Sequence, residues 1–371
     1  MKRLTPFAAA AAVLALCATG AKAADWTITD LGSAQSIMTM RLNDNGWIIL
    51  GNKVLAPGAG GYTATELLNA QGTAGNFGLY GINNSNTVVG VDRNSGPAQA
   101  FVWSAGVRTN LPEVANWDRY LYSEARGINA SGQVIGNTGD GAAIWTPNGS
   151  GGYAITHLDK WSTGNAISDA GVGLMDLNSS TAYSSGGAAT FIPARSGFTP
   201  SGTAINNSNV AAGSAFYQAA GYSWTQTFVW QGSSVSVLPV TATGANWQVN
   251  TGAVSAVNEK NQIVGVGSYG PYDGRAVMWT ESGTGWKETD LNTLSFAGAS
   301  FGKLTTARDI NEKGQTFGEG DYFDKVTGSW SQHVFLLTPA IPEPETWAML
   351  LAGLGLLGYA ARRRKREGTA G

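Results

Sequence analysis

Seven times along the chain one short pattern returns: an apolar residue, an Asn or Ser, two polar or small residues, then a Gly or Asn. The copies are LNDNGWIILG from Leu42, INNSNTVVG from Ile82, INASGQVIG from Ile128, ISDAGVGLM from Ile167, INNSNVAAG from Ile205, VNEKNQIVG from Val257 and INEKGQTFG from Ile310. Their mean spacing is about 45 residues, a period that belongs to stacked or circular repeat folds. Each copy reads as a hairpin. The polar residue (Asn43, Asn83, Asn129, Ser168, Asn206, Asn258 or Asn311) opens a turn by bonding its own backbone. Three residues on stand Gly46, Asn86, Gly132, Gly171, Asn209, Asn261 and Gly314, all residue types that tolerate positive φ. Copy one carries an extra residue before its terminal Gly51, and copy four lacks that glycine altogether.

A second strand pair follows each hairpin. Its inner member is AFVW at Ala100–Trp103, AAIW at Ala142–Trp145, TFVW at Thr227–Trp230, AVMW at Ala276–Trp279 and VFLL at Val334–Leu337, with TFIP at Thr190–Pro193 in copy four and KVLAP at Lys53–Pro57 in copy one. The outer member ends at Leu111, Leu158, Leu238 or Leu291. Four short strands per repeat is the geometry of a propeller blade. After Leu337 the last repeat has no fourth strand, while WTITDLG at Trp26–Gly32 reads like WKETDLN at Trp286–Asn292. The expected fold is therefore all-β, a seven-bladed β-propeller over residues 24–340 whose last blade is closed by the N-terminal strand. Closure removes the open sheet edge that a solenoid would leave.

Composition agrees with an exported β-protein rich in tight turns: 51 Gly, 13 Trp and only 13% charged residues. Between the two chain ends 15 Lys and Arg face 22 Asp and Glu, a net charge near −7. Such a core offers no basic patch for nucleic acid.

The ends read as sorting signals. Lys2 and Arg3, an apolar stretch from Pro6 to Gly20 and a small-x-small site at Ala21–Ala23 make residues 1–23 a secretory signal peptide, with the Sec-type export machinery and signal peptidase as partners. Cys17, the one cysteine, leaves with it, so the remaining chain has no thiol chemistry. At the other end Trp347–Ala361 holds no charge. As a helix it is about 22 Å long, short for a bilayer core but able to span it when flanking arginines snorkel. The basic block Arg362–Arg366 would stay cytoplasmic. Pro342, Glu343 and Pro344, then this single transmembrane helix, then Arg362, Arg363 and Arg364 resemble in order the PEP-CTERM sorting signal, here residues 341–366. The resemblance implies processing by an exosortase, transient anchoring in the inner membrane, and delivery to the cell surface or extracellular matrix. The repeats in turn resemble the HAF repeat of bacterial extracellular proteins, with His333-Val334-Phe335 and Gln99-Ala100-Phe101 at its signature position. That resemblance implies export and β-structure and brings no activity.

Candidate chemistry is sparse. His157 and His333 both lie in strand patterns, and no HxH, HExxH or cysteine cluster offers a metal site. Gly298–Gly302 spells a nucleophile elbow around Ser300 but lacks its strand–turn–helix setting and general base. Asp92, Asp140, Asp273 and Asp321 recur after the hairpins and read as solvated loop charges. No catalytic residue, cofactor or metal is expected. Trp117 and Trp247, each in an ANW triplet, and Trp161 fall in connections between repeats, where they either stack on sugar rings or plug the gap between blades. The favoured function is a non-catalytic surface or matrix interaction module, with exopolysaccharide as its candidate partner. The alternative is a glycan lyase or hydrolase. Carboxylates with Arg or Tyr in the central channel would favour the enzyme, and a bare channel the module.

Overall fold

The computed structural model describes residues 25–34, 39–67, 76–94, 96–115, 121–193, 198–219, 222–240, 252–268, 273–283, 285–340, 353–355 and 357. They fall into two compact units. Ile28–Leu294 with Gly298–Thr338 forms the larger. In the smaller, the amide of Ala340 donates to the carbonyl of Asp25 at 2.9 Å.

The larger unit is an all-β, seven-bladed propeller built from seven antiparallel sheets of four or five strands. The innermost strands, blade by blade, are Met40–Leu42, Phe77–Ile82, Leu121–Ile128, Ser162–Ile167, Phe198–Ile205, Ala253–Val257 and Phe301–Ile310. Each runs toward its Asn or Ser turn, so the seven turns gather on one face. Chain direction then puts the hairpins between second and third strands, and the entries to the innermost strands, on the opposite face, hereafter the mouth face. In the seventh sheet Trp26–Ser33 lies beside Ser329–Pro339, so the N-terminal strand does close the ring. His333 Nδ1 lies 2.9 Å from Asp30 Oδ1, and the amide of Ala34 donates to Gln332 O at 2.9 Å. Blade four departs from the expected assignment. Its third strand is Ser180–Ser184, and Thr190–Phe191 of TFIP is the outer strand. The polar STAYS strand lacks the terminal Trp that four of its counterparts carry, Trp103, Trp145, Trp230 and Trp279.

The core lies between blades, not within them. Trp145 and Trp279, the last residues of two AxxW strands, are fully buried. Trp145 packs with Val89, Val102 and Leu111 of blade two, and Trp279 with Val210, Val229 and Leu238 of blade five. Their indoles donate to the carbonyls of Pro112 (2.9 Å) and Pro239 (2.6 Å), which pins the incoming connection. A flat sheet face cannot bury itself, so every blade depends on its neighbours.

The turns form a hydrogen-bonded circle. All seven Gly or Asn residues three past the turn opener have positive φ, from 56° at Asn209 and Asn261 to 81° at Gly46 and Gly132. Each Asn accepts with Oδ1 inside its own turn, as Asn43 does from the amides of Asn45 (3.0 Å) and Trp47 (2.9 Å). Its Nδ2 then donates to the backbone carbonyl of the next turn. The links run Asn43 to Asn83, Asn83 to Asn129, Asn129 to Ser168, Asn206 to Asn258, Asn258 to Asn311 and Asn311 back to Asn43, at 2.9–3.1 Å. Ser168 has no amide with which to reach Asn206, and there the circle is open. A second circle of amide-to-side-chain bonds runs one residue along: Asp44 to Asn84, Ala130 to Asp169, Asp169 to Asn207, Asn207 to Glu259, Glu259 to Glu312 and Glu312 to Asp44. Its gap falls elsewhere, because Ala130 offers Asn84 no acceptor. Every blade junction thus keeps at least one link.

Two stability predictions follow from this closure. Ser168→Asn supplies the missing link and should raise stability by about 1 kcal/mol, whereas Asn258→Ala should lower it by about 3 kcal/mol through the loss of four side-chain hydrogen bonds, one of them fully buried. Ile28 is buried in the closing strand. Ile28→Ala should cost about 2–5 kcal/mol, and a protein lacking residues 24–32 should lose at least as much. Urea unfolding of the four variants checks both.

Candidate functional site

A cavity of about 240 Å³ runs down the axis of the propeller, lined by residues from all seven innermost strands. Its polar lining arises from a repeated backbone defect. In blades two to six the pairing of the first two strands skips one residue: Tyr80, Arg126, Asn165, Thr203 and Ser255. These are β-bulges, and all five residues line the cavity. In blade seven the pairing skips Arg308 at the same place, but there it is the neighbouring Asp309 that lines the cavity, and Arg41 does so from blade one. The bulge also explains the last glycine of the repeat. A Cβ on Gly90, Gly136, Gly213, Gly265 or Gly318 would collide with the carbonyl oxygen of Gly78, Glu124, Ser201, Ala253 or Thr306, the residue before the one it faces. Blade one has no bulge over Met40–Leu42 and carries Leu50 at that place. In blade four Met175 stands there, facing Gly164.

On its mouth side the cavity is flanked by a charged cluster, of which Tyr80 and Arg126 reach the lining. Glu124 is buried, and Tyr122 donates its hydroxyl to Glu124 Oε2 at 2.6 Å. Arg93 Nη2 lies 3.5 Å and Arg126 Nε 3.6 Å from Glu124 Oε1. Arg93 also donates to the Tyr80 hydroxyl at 3.2 Å. Burial, then the Glu124 carboxylate, pushes the Tyr122 phenol well above its ordinary range. Arg126 Nε is buried and has no hydrogen-bond partner among the described residues. Two arginines, Arg41 and Arg126, line the cavity with one carboxylate, Asp309. The channel is net cationic inside an acidic protein.

Asp309 accepts from the amides of Leu42 (2.8 Å) and Ile310 (2.9 Å). Part of the residue's surface faces the cavity, but its carboxyl is walled in by protein. Burial pushes it up to about 6, against the pull of Arg41 and the two amides.

The other sequence candidates separate clearly. Trp161 stands at the mouth face, 72% exposed, just before strand Ser162–Ile167, with φ +63°. It plugs no blade gap. Trp117, Trp247 and the sorting residues Pro342, Glu343, Pro344, Arg362, Arg363 and Arg364 lie outside the described residues. So does most of the expected transmembrane segment; among the described residues no helix is long and apolar enough to cross a membrane. Ser300 sits between two strands, Phe296–Gly298 and Phe301–Ile310, and no helix follows it. His333 stacks on Tyr322 at 4.3 Å besides its contact with Asp30. The four aspartates are not free loop charges. Asp92 is buried against Arg108 (2.5 Å), which lies over the Phe101 ring at 4.7 Å. Burial pushes the Asp92 carboxyl up, but Arg108 and Asn94 outweigh it and hold it below the usual range. Arg275 and Lys303 hold Asp273 at about 2. Asp140 meets Lys160 at 3.7 Å, and Asp321 accepts from Gln332. The sequence shows these charges but not the strand partners that neutralise them. It also gave no sign of the second exposed tryptophan, Trp330, because its bed is a distant glycine. A Cβ on Gly302 would come within 2.5 Å of the ring. Trp330 is 60% exposed at the mouth face and lies 5.1 Å from Phe323.

Asp309 makes stability pH-dependent. A carboxyl raised in the folded state stabilises fully below its unfolded value near 4, and that contribution is lost as pH rises through about 6. Relative to Asp309→Asn, the wild type should lose about 2–3 kcal/mol between pH 4 and pH 7, read from urea midpoints at each pH.

Comparison with known proteins bears on the fold and on the C-terminus. No curated protein matches the chain. A structure of YCF48 bound to D1 peptide superimposes with a TM-score of 0.53 at 12% identity, covering 88% of this chain and 98% of that one. A puromycin-hydrolyzing peptidase of Mycobacterium tuberculosis gives 0.46 at 12% identity, over 81% of this chain and 52% of its own. The Xanthomonas campestris gluconolactonase XC5397 gives 0.38 at 12% identity, over 84% and 89%. The first of these supports the fold alone, and the other two carry no argument. Residues 340–365 match the PEP-CTERM protein-sorting motif, which implies exosortase processing. The chain is thus a seven-bladed β-propeller bearing a PEP-CTERM sorting motif, the mark of an exported, cell-surface protein.

Proposed function

We propose that this protein is a non-catalytic glycan-binding module of HAF-type repeats, freed of residues 1–23 on export, briefly held in the inner membrane by its C-terminal helix, and displayed at the cell surface to hold exopolysaccharide. The observation that carries the reading is the pair of exposed tryptophans on the mouth face. The same fold buries Trp145 and Trp279 completely. Trp161, by contrast, is presented on a left-handed backbone that a bulky side chain adopts only at a cost. Trp330 packs its six-membered ring over Gly302 and stays 60% exposed. Flat, backed, exposed indoles suit stacking on sugar rings, which every hexose offers.

The test uses the host's purified polysaccharide in a pull-down beside a thermal melt. Trp161→Ala should weaken retention by about 1–3 kcal/mol, a magnitude taken from stacking on aromatic platforms, with the melting temperature unchanged. Undiminished retention in Trp161→Ala and in Trp330→Ala would refute the reading.

A glycan lyase or hydrolase is the second reading. Its support is the channel itself, which is not bare but holds a carboxylate beside tyrosines and arginines. Against it stands the Tyr122 phenol. A general base works best near the operating pH, and this phenol is pushed the other way. Release of reducing ends or of an unsaturated sugar from the bound polysaccharide would establish the enzyme.

A further inference from the structure

We propose that the channel end at Arg126 is a carboxylate-receiving subsite, and that the glycan taken by this protein is acidic, entered through a uronic-acid unit. The inference rests on the glycan-binding reading above and adds the chemical class of the ligand. Three observations converge on it. First, the charge balance of the cavity is opposite to that of the protein: Arg41 and Arg126 line it with one carboxylate, Asp309, within a core near −7. A narrow, low-dielectric bore focuses that excess on the axis. Second, the excess is held ready. Glu124 has one oxygen committed to Tyr122 at 2.6 Å, and the guanidiniums of Arg93 and Arg126 stand beyond hydrogen-bond reach of the other, at 3.5 and 3.6 Å. Arg126 Nε is consequently buried with no hydrogen-bond partner among the described residues. A guanidinium with an idle Nε–H offers the side-on fork that matches a carboxylate with two parallel bonds. Third, the size is right for one unit. At about 240 Å³ the cavity lies below the range of drug-sized ligand sites, which admits a single sugar ring and leaves the rest of the chain outside it.

The bulge makes this arrangement possible. Arg126 is the extra residue between Ala125, which pairs with Gly136, and Gly127, which pairs with Ile135. An unpaired residue at that place turns its side chain to the axis without breaking the sheet around it.

Titration calorimetry of the purified protein compares a galacturonate trisaccharide with the neutral galactose trisaccharide. The uronate should bind at least tenfold more tightly at low salt, and added salt should narrow the gap. Arg126→Gln should erase the preference. Arg126→Lys, which keeps the charge but not the fork, should lose most of it, and gives a second reading if the glutamine variant unfolds. Arg308→Gln should keep it, since that guanidinium pairs with Glu319 (2.9 Å) and does not line the cavity. Equal affinity for the two sugars would overturn the acidic-ligand inference while leaving the glycan-binding function standing. Binding of neither would overturn both. A uronate preference undiminished in folded Arg126→Gln and Arg126→Lys would remove the site from the channel.

Discussion

The bond from each turn Asn to the next turn's carbonyl is the interaction on which the rest depends. It ties neighbours in space that are 39–53 residues apart in sequence, and the last link, Asn311 to Asn43, joins turns 268 residues apart. One side chain does two jobs. Its oxygen organises its own turn, and its amide specifies where the next blade must sit. All seven openers are buried, so an unmade bond here would strand a polar group away from water. The parallel circle through Asp44, Asp169, Glu259 and Glu312 spends their carboxylates on backbone amides. Burial, and then mutual repulsion after the amides' pull, leaves Glu259 and Glu312 above the usual carboxylate range. That cost is tolerated because each circle covers the other's gap.

A second consequence of ring closure is the channel. Seven strands packed about an axis bring one residue each to the centre, and in blades two to six a bulge chooses which. The glycine of the second strand is the structural condition, since a side chain there would strike the facing carbonyl. The bulged residue itself is free of pairing duty, which is why its identity ranges over Tyr, Arg, Asn, Thr and Ser. The scaffold is repeated and the lining is not. Function, in a fold of this kind, is written at the position where the repeat is least regular.

Charge follows the same division. Asp92 pairs with Arg108 two strands along its blade, and Asp273 with Arg275 two residues on and with Lys303 of the next blade, so part of the acidic surplus is neutralised where it arises. The arginines in and beside the channel have fewer opportunities. Arg93 and Arg126 share one carboxylate that is already bonded to Tyr122, and their residual field points down the bore.

How much of this was legible in the chain can be argued residue by residue. The repeat period, the Asn openers and the Gly or Asn three residues later are local requirements of a hairpin, and each of the seven positions has the positive φ that its residue type announced. The orphan strand at Trp26 announced closure, because an incomplete last unit and a spare first strand have one economical solution. The sorting motif was legible for the same reason, being a linear signal read in order. Blade four was misassigned where its pattern fades, since STAYS carries no apolar alternation to betray a strand whose burial comes from its neighbours. The exposure of Trp161, the bed of Trp330 on Gly302, the burial of Asp92 and the idle Nε of Arg126 were decided by tertiary structure alone. Each depends on a residue brought close by ring closure or strand pairing, and no spacing in one chain encodes which distant group will arrive.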